Sequence, residues 1–230
     1  MSDVLLDLFA GTGSSLKAAE DQGLPVAKVE LDTSFPADLH ADILDVTVDD
    51  LLDLCGGRPL FAWASPPCQA FSVASIGHHW TGGRRAYVPK TEAAAHNQEL
   101  VEHTVRLLAG VNPSDGWLME NPRGVLRKLP AVAGLQRRTV TYCQYGDTRM
   151  KPTDLWGPGP ALWTGRRKCR NGDPCHEPAP RGAKTGTQGR ADAVSRGMVP
   201  YELGATLVDA LQAGRFGLAG TVGPCNLSSS

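Results

Sequence analysis

The sequence predicts an α/β fold, a doubly wound and mostly parallel sheet with helices on both faces. Short apolar runs of strand length alternate with segments of helical spacing, and a chain-breaker follows each run. The 230-residue length suits one such domain with a small appendage. Residues 4–9 form the first apolar run, suited to a buried strand, and Gly11-Thr12-Gly13 ends it. Residues 14–22 read as a short helix closed by Gly23, and 26–31 as the second strand. Residues 48–54 are a second short helix, followed by Gly56-Gly57. Residues 60–64 are the third strand, stopped by Pro66-Pro67. Residues 96–109 place Leu100, Val101, Val105 and Leu108 on one helical face ahead of Gly110. Residues 117–120 and 139–143 are the fourth and fifth strands, and 200–212 the last helix, with Pro200 in its first turn.

Two stretches break this alternation. Residues 69–95 have weak periodicity and hold Gly77, Gly82-Gly83, Arg84-Arg85 and Pro89. Residues 157–190 are rich in Gly, Pro and basic residues and show no regular element. Long irregular stretches in a compact domain are functional or disordered, and the tail 216–230 is expected to lack order.

Composition narrows the function classes. A hydrophobic fraction of 41% and a charged fraction of 20% belong to a soluble globular protein. No apolar run approaches the roughly 20 residues needed to cross a bilayer, so no membrane is expected. Met1-Ser2-Asp3 offers no basic region ahead of an apolar stretch, so no secretory signal is expected. Six irregularly spaced cysteines point to a reducing cytoplasm, that of a bacterial or phage-infected cell, rather than a disulfide scaffold. The net charge of -1 conceals an asymmetry: residues 1–122 sum to -10 and residues 123–196 to +10. A basic segment of that size attracts polyanions, although exposed loops also carry such charge.

Three motifs lie where strands end. Asp7-Leu8-Phe9-Ala10-Gly11-Thr12-Gly13 closes the first strand, and its glycines let backbone approach a ligand at the carboxyl edge of the sheet. A tight strand-to-helix turn would also use them, and the third glycine of the dinucleotide fingerprint is missing. Glu30, ending the second strand, offers two acceptors suited to a ribose diol, and Asp42 one for an adenine amine. Ser65-Pro66-Pro67-Cys68-Gln69-Ala70-Phe71-Ser72 follows the third strand, and two prolines stiffen the approach to Cys68. A catalytic thiol must be accessible and fixed in direction, whereas most cysteines are buried and inert. Met119-Glu120-Asn121-Pro122 ends the fourth strand at the same edge, and Tyr145-Gly146 with Arg149 and Lys151 follows the fifth.

These motifs, in this order, resemble those of the DNA (cytosine-5) methyltransferases over about residues 3–156, with a weaker match at 194–212. The Pro-Cys-Gln-x-Phe-Ser block is the specific one. The short length and Lys-Thr-Gly-Thr-Gln-Gly at 184–189 are similar to compact enzymes of actinobacterial phages, for which shielding a genome from host restriction is an expected purpose. The resemblance implies a Rossmann-like S-adenosylmethionine-dependent methyltransferase fold. It implies a catalytic domain over 1–156, a small irregular target-recognition region over 157–190 and a returning helix within 191–215. Asp7, Phe9, Gly11, Gly13, Glu30, Asp42, Ile43 and Pro67 would serve S-adenosylmethionine. Cys68 would add to C6 of a flipped-out cytosine and Glu120 would meet N3, with Arg149 or Lys151 at the ring carbonyl. Gln69, Ser72, Arg84, Arg85, Arg123, Arg166, Arg167 and Lys168 would contact double-stranded DNA. Residues 69–92 resemble the mobile catalytic loop, with His78, His79 or Trp80 near the gap left by the base. No obligate protein partner is visible.

The chain departs from the family in four places. Arg149, Lys151 and Thr153 stand where Gln-x-Arg-x-Arg is usual, Ser195-Arg196 stands where Gly-Asn is usual, the recognition region is short, and no Arg-x-Leu-Thr-Pro-Arg-Glu motif is evident. Cys169, Cys175 and His176, with Cys143, are soft ligands, but their spacing matches no standard zinc motif and no metal is assigned. An RNA (tRNA) cytosine methyltransferase on the same fold would carry the same motifs. A non-catalytic DNA-binding relative would need neither Cys68 nor Glu120. A nicotinamide-dependent enzyme would leave the Pro-Pro-Cys block unexplained.

Overall fold

The computed structural model describes residues 3–82, 87–170, 172–178 and 193–219. In chain order the elements are β1 (Leu5–Leu8), α1 (Lys17–Asp21), β2 (Val26–Glu30), β3 (Leu39–His40), α2 (Val48–Leu54), β4 (Phe61–Ala64), α3 (Ile76–His79), β5 (Trp80–Thr81), β6 (Val88–Pro89) and α4 (Glu92–Val111). There follow β7 (Trp117–Pro122), β8 (Arg137–Thr141), β9 (Pro152–Trp156), α5 (Ala193–Gly197) and α6 (Tyr201–Ala219). Seven strands form one sheet in the order β3-β2-β1-β4-β7-β9-β8. The pairs from β3 to β7 are parallel, and β9 runs antiparallel between β7 and β8. The predicted doubly wound, mostly parallel sheet is therefore present.

Apolar cores cover both faces of the sheet. Leu6, Leu8, Ala62, Ala64 and Met119 pack on the side of α2 and α4, and Leu5, Phe61, Trp63, Leu118 and Leu155 on the side of α1 and α6. Alternation along the strands sends neighbouring side chains to opposite faces, so continuous apolar runs fill both cores. Helix α4 is longer than its periodicity suggested. The Thr91 hydroxyl accepts from the Ala94 amide and starts the helix ahead of Glu92-Ala93-Ala94-Ala95. Its buried stripe of Ala94, Asn97, Leu100, Val101, Thr104, Leu107, Leu108 and Val111 follows helical spacing, and Asn112 ends it with φ 45°.

Four features differ from expectation. Strand β9 was not foreseen, because Pro152 and Asp154 are poor strand formers. Residues 69–95 hold short elements where a long loop was expected: α3, the β5–β6 hairpin and the start of α4. Trp80 is buried, stacks on Phe71 at 5.9 Å and donates its indole N–H to the Ala70 carbonyl at 2.6 Å. It anchors the hairpin and does not project toward a base. Helix α6 runs to Ala219, beyond the expected boundary at 215; the rest of the tail, Arg84-Arg85 and residues 184–189 lie outside the described residues. No described helix is long and apolar enough to cross a membrane.

Candidate active site

Strands β2 and β3 lie on one side of β1, and β4 and β7 on the other. Crossovers diverge there, and open α/β sheets leave a crevice beyond the carboxyl ends of the strands at such a point. Phe9, Glu30, Asp42, Ile43 and Pro67 line a cleft of about 200 Å³ at that position, joined by Val29, Leu31, Ala41, His96, Asn97 and Leu100. Five of the eight predicted cofactor residues thus share one cavity. His96, Asn97 and Leu100 were missed as site residues because on α4 they read as an ordinary helical face.

The glycine loop is built for close approach. Phe9, Gly11 and Gly13 have φ of 60°, 50° and 71°, a conformation that glycine adopts without cost. Glu30 holds the loop: its Oε2 accepts from the Gly11 amide at 2.8 Å, and its Oε1 from Leu31 and Asp32 at 2.9 and 3.0 Å. A carboxylate has about four acceptor positions, so a ligand hydroxyl can still be received. Asp42 Oδ1 caps the following turn by accepting from the Leu44 amide at 3.0 Å. Asp7 does not line the cleft. It is buried in β1 and accepts from the Ser15 hydroxyl at 2.5 Å. Burial is the main cause that lifts its pKa from 3.8 to about 7, against the Ser15 hydrogen bond and the Lys28 charge. Its Oδ1 has no hydrogen-bond partner among the described residues.

Cys68 follows β4, half-buried, next to the Pro67 wall of the cleft. The buried Asn121 side chain donates to the Pro66 carbonyl at 3.0 Å, fastening the end of β7 to the Pro-Pro-Cys turn. Three residues along the chain from Cys68, the Phe71 carbonyl accepts from the Val125 amide at 2.9 Å, and Ser72 pairs with Gly124. A side chain on Gly124 would place its Cβ 2.0 Å from the Phe71 carbonyl oxygen, so glycine is required there.

Glu120 is 5% exposed in β7. Its Oε1 accepts from the Tyr142 hydroxyl at 2.9 Å and lies 3.8 Å from Lys151 Nζ. Lys151 sits over the Tyr142 ring at 4.6 Å and donates to the Arg196 carbonyl at 3.1 Å. Burial pushes the Glu120 carboxyl above its ordinary 4.5, and Lys151 and Tyr142 pull it back. The Cys68 thiol is raised above 9.0, first by burial and next by the charge of Glu120, with Lys151 opposing. The two groups feel each other, so protonating Glu120 removes one of the penalties on a Cys68 thiolate. A neutral acid beside a thiolate is what addition to an electron-poor ring requires.

The remaining predicted residues divide. Lys151 reaches Glu120, whereas Arg149 is paired with Glu177 at 2.8 Å. Gln69, Arg123, Arg167 and Lys168 are exposed, and Ser72 is half-buried against Ser75 at 3.0 Å. Arg166 is exposed but engaged: it stacks on Tyr145 at 4.9 Å, donates to the Gln144 carbonyl at 2.6 Å and pairs with Glu202 at 2.5 Å. His79 contacts Thr91 at 2.8 Å. Asn121 was read only as part of the motif around Glu120, without a role of its own, and Tyr142 was not singled out; nothing in its neighbourhood marks it until the strands are assembled. The Ser195-Arg196 segment, set aside because it lacks Gly-Asn, does reach the site: Arg196 meets Lys151, and the Val199 amide donates to Ser14 at 3.0 Å.

No family model matches the chain. It is 30% identical over 174 residues to the probable DNA (cytosine-5)-methyltransferase of Frog virus 3 (isolate Goorha), covering 73% of this chain and 78% of the viral protein. The chain belongs to the cytosine-5 methyltransferase family. Two solved structures are also similar to this methyltransferase. The Dnmt2 methyltransferase of S. pombe matches with a TM-score of 0.44 and 14% identity over 72% of this chain. A mutant DNMT2 of Spodoptera frugiperda matches with a TM-score of 0.43 and 19% identity over 74%. The chain spans about half the length of those two proteins, 51% and 54%.

Proposed function

We propose that the chain methylates C5 of a flipped-out cytosine in double-stranded DNA, using S-adenosylmethionine. The observation that carries this reading is the convergence of Cys68, Glu120, Tyr142 and Lys151 beside the cleft of Phe9, Glu30, Asp42 and Ile43. The cleft suits the cofactor chemically: apolar walls for an adenosyl group, carboxylates for its hydroxyl and amine donors, and an acidic half-chain for a sulfonium. Glu30 would hold the ribose and Asp42 the adenine. When bound, S-adenosylmethionine supplies an electrophilic methyl group at C5.

A stacked base cannot be reached in a duplex, so the target must leave the stack. Cys68 Sγ, its proton given up to solvent, then adds to C6 as the thiolate, and Glu120 delivers a proton to N3 as electron density moves there. Loss of the C5 proton to solvent, return of the N3 proton to Glu120 and expulsion of Cys68 as thiolate restore the ring. Lys151 is the better candidate for the ring carbonyl, since Arg149 is engaged by Glu177. Arg123, Arg167 and Lys168 would meet backbone phosphates and place the duplex, and residues 157–190 would supply what little base reading the chain has.

The test is transfer of labelled methyl to duplex DNA and to RNA by wild type and Cys68→Ala. Labelled 5-methylcytosine in DNA, lost in the variant, supports the reading. Label in RNA alone overturns the choice of substrate. Equal transfer by Cys68→Ala overturns the covalent role.

A further inference from the structure

Outside the cleft, a second chemical cluster includes Cys143, the chain neighbour of Tyr142. The Sγ atoms of Cys143, Cys169 and Cys175 and one ring nitrogen of His176 all lie within 4.8 Å of one another. Cys175 Sγ is 3.2 Å from Cys169 Sγ and 3.8 Å from Cys143 Sγ. His176 Nδ1 is 3.2 Å from Cys169 Sγ and 3.7 Å from Cys175 Sγ. A tetrahedral zinc ion has bonds of about 2.3 Å to sulfur and about 2.0 Å to nitrogen, which set ligand–ligand edges of roughly 3.5–3.8 Å. Those four spacings lie within roughly 0.6 Å of such edges.

The surroundings ask for such a clasp. No described residue over 164–178 is fully buried, and none of them belongs to a helix or strand. It nevertheless lies folded against the catalytic domain: the Cys169 amide donates to Thr141 at 2.9 Å, and the Glu177 amide to the Thr148 carbonyl at 2.9 Å. A stretch too small to bury a core of its own commonly relies on a metal for tertiary restraint. Gln144 donates to Cys175 Sγ at 3.1 Å, a second layer of support for a ligand thiolate. Three thiolates and Zn²⁺ leave one negative charge, and the exposed Arg167, Lys168 and Arg170 surround it with positive ones.

We propose that Cys143, Cys169, Cys175 and His176 form a structural zinc site that fastens the basic segment to the turn carrying Tyr142. Binding displaces three thiol protons to solvent, and the neutral imidazole gives its Nδ1 lone pair. No oxidation is involved. Four protein ligands leave no open position, so the metal is structural and takes no part in chemistry. Because Cys143 adjoins Tyr142, whose hydroxyl meets Glu120, the site also positions the catalytic cluster. The metal site does not depend on the methyl-transfer reading.

The experiment uses the full chain without a metal-binding tag, expressed with zinc and measured by elemental mass spectrometry. The wild type should hold one zinc per chain. Cys169→Ser and His176→Asn should lose it, whereas Cys55→Ala and Cys68→Ala should keep it. If the losing variants misfold, Co²⁺ titrated into chelator-stripped wild type should give the thiolate-to-cobalt absorption of a tetrahedral sulfur site, displaced by Zn²⁺. Hydrogen exchange should then show 166–178 loosened by chelation and the sheet unchanged. Metal-free wild type that ignores chelator and Co²⁺, substoichiometric metal that Cys169→Ser retains, or a Cys169–Cys175 disulfide in protein alkylated under non-reducing conditions would each overturn the proposal.

Discussion

Replacing Gly124 by alanine tests whether the segment after Cys68 must be pinned. The new Cβ would stand 2.0 Å from the Phe71 carbonyl oxygen and 3.0 Å from its carbon, both backbone atoms that cannot rotate away. An ordinary C···O contact is about 3.3 Å, so the two strands of chain must part by roughly 1.3 Å. That separation breaks the Val125-to-Phe71 hydrogen bond and moves the turn that begins at Cys68. Overpacking of this kind costs about 1–3 kcal/mol, or about 2–12 °C in Tm for a chain of this size. Misplacing a reacting group by about 1 Å lowers turnover by about a hundredfold. Gly77→Ala is the control, since nothing lies within 4 Å of its added Cβ and its φ is not in the left-handed region. Thermal unfolding and single-turnover methyl transfer read both effects. A Gly124→Ala enzyme with the Tm and turnover of Gly77→Ala would refute the reasoning.

Tyr142→Phe and Lys151→Met each remove an interaction that favours ionised Glu120, so both should raise its pKa, Lys151→Met more. The alkaline limb of the single-turnover rate should move to higher pH in both; a downward move contradicts the assignment of Glu120 as the acid. Asp7 has a folded pKa of about 7 against 3.8 unfolded, so its contribution to stability is present in full below about pH 4 and lost as pH rises through 7. Asp7→Asn should lack that decline and be more stable than wild type above pH 7, by at most roughly 4 kcal/mol; parallel curves in urea titrations across pH 4–8 contradict this. Arg127 donates to both oxygens of the fully buried Asp154. Arg127→Met should cost about 3–5 kcal/mol in urea unfolding at pH 7, and the double variant with Asp154→Leu should recover most of it; an unaltered single variant shows the pair to be idle.

The sequence made the sheet's parallel half and the cleft legible, because continuous apolar runs ended by Gly or Pro mark buried strands whose carboxyl ends face one way. Phe9, Glu30, Asp42, Ile43 and Pro67 could be gathered on motif order alone. Strand β9 was hidden by Asp154, whose burial is tolerated only because Arg127 and Thr139 meet it from elements distant in sequence. Tyr142 was hidden for a related reason: its neighbourhood to Glu120 is made by strand order. Trp80 was placed near the base gap by the resemblance of its stretch to a mobile loop, whereas the hairpin turns it onto Phe71. The cysteine cluster was illegible as a metal motif because Cys143 lies 26 positions before Cys169.

The antiparallel β9 has a consequence for how the enzyme is made. It enters a gap between two strands that precede it in the chain, and Glu120 pairs across to Leu155 within it. Until β9 has paired with it, β7 is an open margin of the sheet, and the burial that raises the Glu120 pKa is incomplete. Proton-holding power at that position therefore appears only when a late, long-range insertion closes the sheet. A nascent or nicked chain that has formed the glycine cleft and displays the thiol still lacks the buried carboxyl proposed as its acid.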